Sequence, residues 1–330
     1  MPDAALTLPP LPPLPATMRA ITQVRPGGPE VLELVETERP VPGRTEILVR
    51  VHAAGVNPSD WKTRARGVFA DGAQPPFTLG FDVCGVVAAV GQGVTVFKPG
   101  DEVFGMPRFP HPAGAYAEYV TAPARHFAHR PAALDHVHAA ALPLAALTAW
   151  QALVDTADVR PGQRVLIHAA AGGVGHLAVQ IAKSRGAYVI GTAREAKHAF
   201  LRGLGADELI DYTRQDFAHQ LKDIDVALDT VGGTYGPRSL RTLRPGGTLI
   251  TLSSPDDAVP AEEAHAADAH AVFMLVEPDQ EGLRQIASLV DSGQLRVEIE
   301  EVVPLAEAAR AHELGETGRT TGKLVLSVTP

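Results

Sequence analysis

Short apolar runs broken by proline and glycine dominate the first third of the chain. "MRAITQV", "VLELVET", "EILVRVHAAGV", "DVCGVVAAVG" and "DEVFGM" are separated by "RPGGPE", "VPGR" and "FKPGDE", the punctuation of short strands and tight turns. In "EILVRVH", Ile47, Val49 and Val51 share one face while Arg50 and His52 share the other, the two-residue period of a half-buried strand. Residues from about 18 to 125 are therefore predicted to form an all-β unit. The opening, residues 1–17, is proline-rich and is expected to be a flexible tail of polyproline II character, with the folded part starting near Met18.

Further along, the pattern alternates between helical and extended periods, which predicts a parallel sheet with crossover helices. "HVHAAALPLAALTAWQALVDTA" reads as one helix and "RVLIHAA" as a strand; "HLAVQIAKSRG" reads as a helix ended by Gly186, "AYVIGT" as a strand, and "EAKHAFLRGLG" as a helix ended by Gly205. "ELIDY", "DVALDTV", "GTLITLSS" and "AVFMLVE" supply further strands, the last two separated by a polar, His- and Ala-rich segment at 255–270. "QEGLRQIASLVDSG" is helical, and "VVPLAEAARAHELGETGRTTGKLVLSV" gives a helix and a closing strand. A nucleotide-binding sheet already has six strands by that point, so the closing strand is expected to return to the first unit. No internal repeat is visible.

Length makes two domains the better expectation for these 330 residues. A net charge of -9, with no basic run or Arg/Lys stripe, gives no footprint for nucleic acid. No apolar stretch is long enough for a membrane span, and the first residues lack the pattern of a signal peptide, so a cytoplasmic location is expected. One cysteine, Cys84 in "FDVCGVVAAV", excludes an intramolecular disulfide and a multi-thiolate zinc site; it reads as a small buried residue.

Between the strand "RVLIHAA" and the following helix lies the turn Ala169-x-x-Gly172-x-x-Gly175. A glycine turn that leaves a strand and opens a helix is the context of a dinucleotide-binding site. Gly172 lets backbone approach a pyrophosphate, Gly175 lets the helix pack on the strand, and the turn through Gly173 and Val174 presents helix N-terminal N–H groups to phosphate. Ala170 replaces the first glycine of the usual G-x-G-x-x-G pattern. The next strand ends at Ala193 followed by Arg194, where NAD-binding sites carry Asp or Glu for the ribose. A guanidinium there suits a 2′-phosphate, and Lys197 and Tyr212 can add a cation and a hydroxyl, so NADP(H) is the expected cofactor.

In this order along the chain, "AAGVNPSDWKTR", "GFDVCGVVAAVGQGVTVFKPGDEVFG", "GAYAEYV", "LPLAALTAWQAL", "HAAAGGVGHLAVQIAK", "GADELIDY" and "GKLVL" resemble the medium-chain dehydrogenase/reductase superfamily, specifically its zinc-independent quinone oxidoreductase, or zeta-crystallin-like, branch. The resemblance covers Met18 to Val328. It implies an α/β protein with a GroES-like β-barrel catalytic domain, residues 18–137 and 280–330, and a doubly wound Rossmann NADP-binding domain, residues 138–279, with catalysis in the cleft between them. In the alcohol dehydrogenase branch a Cys and a His hold zinc at two positions where this chain has Asn57 and Phe81. Phenylalanine cannot coordinate a metal, and the 13 histidines offer pairs without accompanying ligands, so no metal is expected.

Without a Lewis acid, alcohol oxidation loses its main stabiliser, whereas hydride delivery to an already electron-poor carbon does not need one. A small electrophilic acceptor, a quinone or an α,β-unsaturated ketone or aldehyde, is the expected substrate. In "VNPSDWKTR", Asn57 can donate an amide hydrogen bond to a carbonyl, Lys62 can stabilise an enolate or relay a proton, and Asp60 can hold Lys62 or Asn57 in place. Trp61, Phe69, Phe104, Met106 and Phe109 are candidates for the walls of an apolar acceptor pocket. The resemblance places Thr148, Val231, Ser253, Ser254, Leu275 and Val276 near the nicotinamide and Lys323 near the cofactor phosphates. It also implies a homodimer, with "GGTLITLSS" and "AVFMLVE" at the outer sheet edge. Two alternatives stay open: a non-catalytic NADPH-binding structural or sensory protein of the same fold, and a trans-acting enoyl-thioester reductase.

Overall fold

A computed structural model of the chain describes residues 14–67, 72 and 74–329. The tail up to residue 13 and Phe69 lie outside the described residues. The apolar alternation of the first third becomes a seven-stranded sheet built around the eleven-residue strand Glu46–Val56. That strand pairs antiparallel with Val83–Val90, Tyr119–Pro123 and Lys323–Ser327. Register shifts at Leu48/Val49 and Val51/Ala53 bend it, as an extra residue in one strand of a pair does. A three-stranded sheet of Leu32–Glu38, Thr17–Gln23 and Phe77–Thr78 packs beside it.

Residues 164–273 form a six-stranded, wholly parallel sheet. Its strands lie in the order Glu208–Ile210, Tyr188–Thr192, Arg164–Ile167, Ile224–Asp229, Leu243–Thr251, His270–Phe273. Numbered along the chain this is 3-2-1-4-5-6, the doubly wound arrangement in which the strand order reverses beside the first strand and ligands bind beyond the carboxyl ends at that point. Leu177, Ala178, Val179, Ile181 and Ala182 of the helix Gly175–Ser184 are all fully buried, so the helix following the glycine turn is packed on every side rather than lying amphipathic on the surface.

Two connections differ from the sequence expectation. The run 136–157 is not one helix: it breaks after His136–Ala140, restarts at Pro143–Trp150 and ends in a π-helical stretch, Gln151–Thr156. Pro143 causes the break, since proline lacks the N–H that a continuous helix needs but fits a first turn. The segment 255–270 contains a short helix, Ala261–Ala266, with Glu262 and Glu263 in its first turn and Ala264 buried against the sheet. After the helix Ala308–Glu316 the chain returns to the first sheet, where Leu324 pairs with Val56. This register sets Lys323 beside Asn57.

Candidate active site

The strand Arg164–Ile167 leads into a turn shaped by its backbone. Ala169 takes a left-handed conformation with φ of 44°, Gly172 N–H closes onto Ala169 O at 2.9 Å, and the ten-residue helix begins at Gly175 with no side chain capping its start. A Cβ on Gly175 would stand 2.7 Å from the Ala170 Cα and against the Ala169 carbonyl oxygen. Gly175 is thus the glycine of helix-to-strand contact. A Cβ on Gly172 would meet only the Ala169 carbonyl, at 3.2 Å, so Gly172 faces open space, where a phosphate needs the backbone bare. Ala170 is tolerated at the first position because Gly191 on the neighbouring strand yields the room: a Cβ there would be 2.9 Å from the Ala170 methyl.

This turn forms one wall of a cleft of about 300 Å³. The opposite wall consists of Val56, Asn57, Trp61, Leu144 and Lys323, with Thr230 and Gly315 at the sides. An uncapped helix start, bare glycines and an apolar far wall fit a dinucleotide lying across the turn. Beyond the carboxyl end of the second parallel strand Arg194, exposed, donates from Nε to the Tyr212 hydroxyl at 3.2 Å. Lys197 instead bonds to Thr321 Oγ1, tying the parallel sheet to the returning segment.

On the barrel side a polar cluster is buried. Asp60 Oδ2 accepts from the Asn57 backbone N–H at 2.7 Å, closing the first turn of the helix Pro58–Arg66. The Asn57 carboxamide donates from Nδ2 to Asp82 Oδ2 at 2.8 Å and accepts from Lys323 Nζ. Asp82 Oδ1 accepts from Leu144 N–H at 2.7 Å, and Lys323 Nζ lies 3.5 Å from Asp82 Oδ2. Behind Asp60 runs a donor chain. Arg64, which can only donate, bonds to His312 Nδ1 at 3.1 Å, leaving the imidazole proton on Nε2. His312 Nε2 then donates to the Tyr116 hydroxyl at 3.3 Å, which donates to Asp60 Oδ2 at 3.0 Å.

Burial sets the protonation of these groups. It pushes Asp60 up to about 7, against the opposing donations from Asn57 N–H and Tyr116 OH. It lowers His312 to about 3, with the Arg64 guanidinium acting in the same direction. Burial likewise raises Asp82 and lowers Lys323, while the attraction between the two opposes both shifts.

The other expected residues are placed as follows. Lys62 is exposed and donates to Ser253 O at 3.0 Å, bridging the two sheets; Asp60 holds Asn57 rather than Lys62. Lys323 points its ammonium to Asn57 and Asp82, and its stem passes Gly173, where a Cβ would stand 3.2 Å from the lysine Cδ. Phe104 and Met106 are fully buried in the barrel core and do not line the cleft; Phe109 packs edge-on to Phe81. Trp61 is the expected aromatic that does line it, resting on Gly315, where a Cβ would come within 2.8 Å of the ring. Thr148 bonds back to Leu144 O within its own helix. Val231 and Leu275 are exposed and Val276 is buried in the core, while Ser253 Oγ donates to Asp257 and Ser254 Oγ accepts from Asp256 N–H. Asp82, Arg64, Tyr116, Thr230 and His312 were not singled out from the sequence, although Asp82 directly follows Phe81.

The chain matches the family described as "Alcohol dehydrogenase GroES-like domain" over residues 43–132 and the one described as "Zinc-binding dehydrogenase" over residues 204–326. It is 34% identical to the quinone oxidoreductase of Sus scrofa, covering 94% of this chain and 97% of the relative. The solved quinone oxidoreductase of Coxiella burnetii is 40% identical, with a TM-score of 0.87 over 95% of this chain and all of that one. The chain belongs to the medium-chain dehydrogenase/reductase superfamily, in its zinc-independent quinone oxidoreductase branch. Two further similarities bear on the cofactor. NAD(P)H oxidoreductase RTN4IP1, mitochondrial, of Danio rerio is 32% identical over 86% of this chain and 84% of the relative. A mycobacterial structure complexed with NADPH is 33% identical, with a TM-score of 0.83, over 94% of this chain and 100% of that one.

As a medium-chain dehydrogenase/reductase the protein combines a GroES-like barrel with a Rossmann sheet and is an oxidoreductase working with a nicotinamide cofactor. Among the described residues no three His, Cys, Asp or Glu side chains are grouped to hold a metal ion. Among the same residues no helix is long and apolar enough to cross a membrane.

Proposed function

We propose that this medium-chain reductase uses NADPH to reduce a small electrophilic acceptor, a quinone or an α,β-unsaturated ketone or aldehyde. The observation carrying the reading is the cleft itself, with a dinucleotide turn on one wall and Asn57 among apolar Val56, Leu144 and Trp61 on the other. When bound, the dihydronicotinamide supplies the hydride. The protein's part is positional: Gly172 and Gly173 keep the turn bare for the pyrophosphate, and Trp61 and Leu144 exclude water from the ring. Asn57, fixed through its N–H by Asp60 and through its side chain by Asp82, orients the acceptor carbonyl. Preference for NADPH over NADH is supported by Arg194 and Tyr212, which together offer a cation and a hydroxyl where a ribose carboxylate would otherwise stand.

NADPH consumption measured against quinones, 2-alkenals and enones, with NADH in parallel, tests the reading. Turnover favouring NADPH is the expected result. Tight NADPH binding without turnover on any member would replace the reading with a binding role. We also propose a homodimer, since His270–Phe273 ends the parallel sheet with an open edge and Val272 and Leu275 stand exposed beside it. Light scattering should give twice the 34.8 kDa chain mass, and a monomer mass would remove the proposal.

A further inference from the structure

Among the described residues that line the cleft, Lys323 is the one ionisable side chain. It is also buried, 3% exposed, among Val56, Leu144 and the glycine turn. We propose that Lys323 Nζ and Asn57 Nδ2 form an anion-stabilising pair that binds the acceptor's carbonyl oxygen as it takes negative charge. This rests on the reading of the protein as a reductase and assigns the electrostatic part of its reaction to a lysine 266 residues from its partner.

A count of donors carries the proposal. An ammonium has three N–H groups; one goes to Asn57 Oδ1 and a second faces Asp82 Oδ2. A carboxamide nitrogen has two, of which one goes to Asp82 Oδ2. One N–H therefore remains on each of two adjacent nitrogens, and both residues line the cleft. Asp82 is locked in turn by Leu144 N–H, so neither donor has to reorganise when charge develops. The apolar wall strengthens the interaction, because a fixed cation acts far more strongly where water is excluded. The cation also stands beside Asn57, one of the two positions at which zinc-holding relatives carry a ligand; a lysine ammonium here supplies positive charge without a metal.

The chemistry balances without a further reactant. An enone acceptor gains a hydride at its β-carbon from the dihydronicotinamide, and the C=C electron pair shifts to leave an enolate whose oxygen carries the charge. That oxygen rests on Lys323 and Asn57 until a solvent proton reaches the α-carbon. The acceptor has then gained two electrons and two protons, and the cofactor has been oxidised by two electrons.

The test uses 4-nitrophenol as an enolate-like probe and nitrobenzene as its analogue without the oxygen, titrated by absorbance into the NADP⁺-loaded protein. In the wild type the bound nitrophenol should ionise at a lower pH than in water. Lys323→Met alone would strand Asp82 and risks misfolding, so the variant is Lys323→Met with Asp82→Asn, which removes both charges together. It should weaken nitrophenolate binding by about 10- to 100-fold, the worth of a hydrogen bond to a charged group, while nitrobenzene binding stays within about twofold. A wild-type protein that binds nitrophenol with its ordinary ionisation overturns the proposal without recourse to any variant. So does a variant that loses NADPH affinity but keeps its phenolate preference, which would make Lys323 a phosphate ligand only. A wild type that reduces no quinone or enone yet shows the Lys323-dependent phenolate preference would retain the anion site and discard the reductase reading.

Discussion

The two walls of the cleft are made of different materials. The wall under the cofactor is contiguous backbone, from the strand Arg164–Ile167 through the turn to the helix Gly175–Ser184, and it works by shape, with no charged side chain in the turn. The wall facing it presents Val56, Asn57, Trp61, Leu144 and Lys323, and its polar members are held from behind by side chains far apart in sequence, Asp60, Arg64, Asp82, Tyr116 and His312, buried and joined by hydrogen bonds. The first is sensitive to added atoms and indifferent to pH. The second tolerates little change in charge and should register pH. Site function here depends on both kinds of rigidity at once.

The largest effect should come from breaking the backbone wall. A valine at position 175 would place its Cβ against Ala169 O and 2.7 Å from Ala170 Cα, and neither backbone atom can move without displacing the strand. Gly175→Val should cost about 3 kcal/mol or more of stability, the upper range for overpacking, and abolish NADPH binding. Urea denaturation and cofactor-fluorescence titration measure the two losses. Unchanged NADPH affinity would mean that the turn is not where the cofactor lies.

The side-chain wall should respond to pH, and Asp60 sets the sign. Its carboxyl is held up to about 7 in the folded protein against an ordinary value of 3.8. Between those values the folded chain binds a proton that the unfolded chain has lost. The stability from Asp60 is therefore fully present below about pH 4 and is lost as pH rises toward 7. Asp60→Asn keeps a carbonyl for the Asn57 N–H and the Tyr116 hydroxyl but cannot titrate. The stability difference between variant and wild type should move in the variant's favour by an amount on the order of a few kcal/mol between pH 4 and 8. Because it is a difference, the buried imidazoles His168 and His312, both lowered to about 3 and acting in the opposite sense, cancel from it. A flat difference would show Asp60 to be charged throughout.

The same contrast explains what could be read from the chain beforehand. The glycine turn was legible because strand, turn and helix are consecutive, and each leaves a local signature in residue type and period. The parallel sheet and the return of the last strand followed from counting such segments. Asn57 and Asp60 were legible as neighbours, three residues apart. Tyr116 and His312 were not, since Tyr116 meets Asp60 across 56 residues and His312 meets Tyr116 across 196; no period or spacing encodes a contact made by folding. Phe104 and Met106 show the converse difficulty: an aromatic and a methionine near a cleft in sequence carry no mark of whether they face it or the core. The Ala170 substitution became intelligible only with Gly191 in place across the sheet.

A smaller effect should separate the cofactors. Arg194→Ala removes the guanidinium at the end of the second parallel strand but touches nothing buried. It should reduce the preference for NADPH over NADH by about tenfold or more, the worth of one charged hydrogen bond, with stability unchanged. Equal weakening of both cofactors would move the 2′-phosphate away from Arg194.

The smallest effect is expected at Lys62, and it sharpens the comparison most directly. The side chain is exposed and reaches over the gap between barrel and parallel sheet to donate to Ser253 O at 3.0 Å, and it does not line the cleft. If the acceptor's charge rests on the buried wall, Lys62→Ala should lose only a solvent-exposed hydrogen bond, about 0.5 kcal/mol or less of stability, and leave kcat within about twofold. A loss of kcat by tenfold, about 1.4 kcal/mol of transition-state stabilisation, with NADPH affinity intact would require Lys62 to leave Ser253 and enter the cleft during turnover. The electrophile would then belong to a mobile surface residue, and the division between a wall of shape and a wall of buried charge would fail at the point where the chemistry occurs.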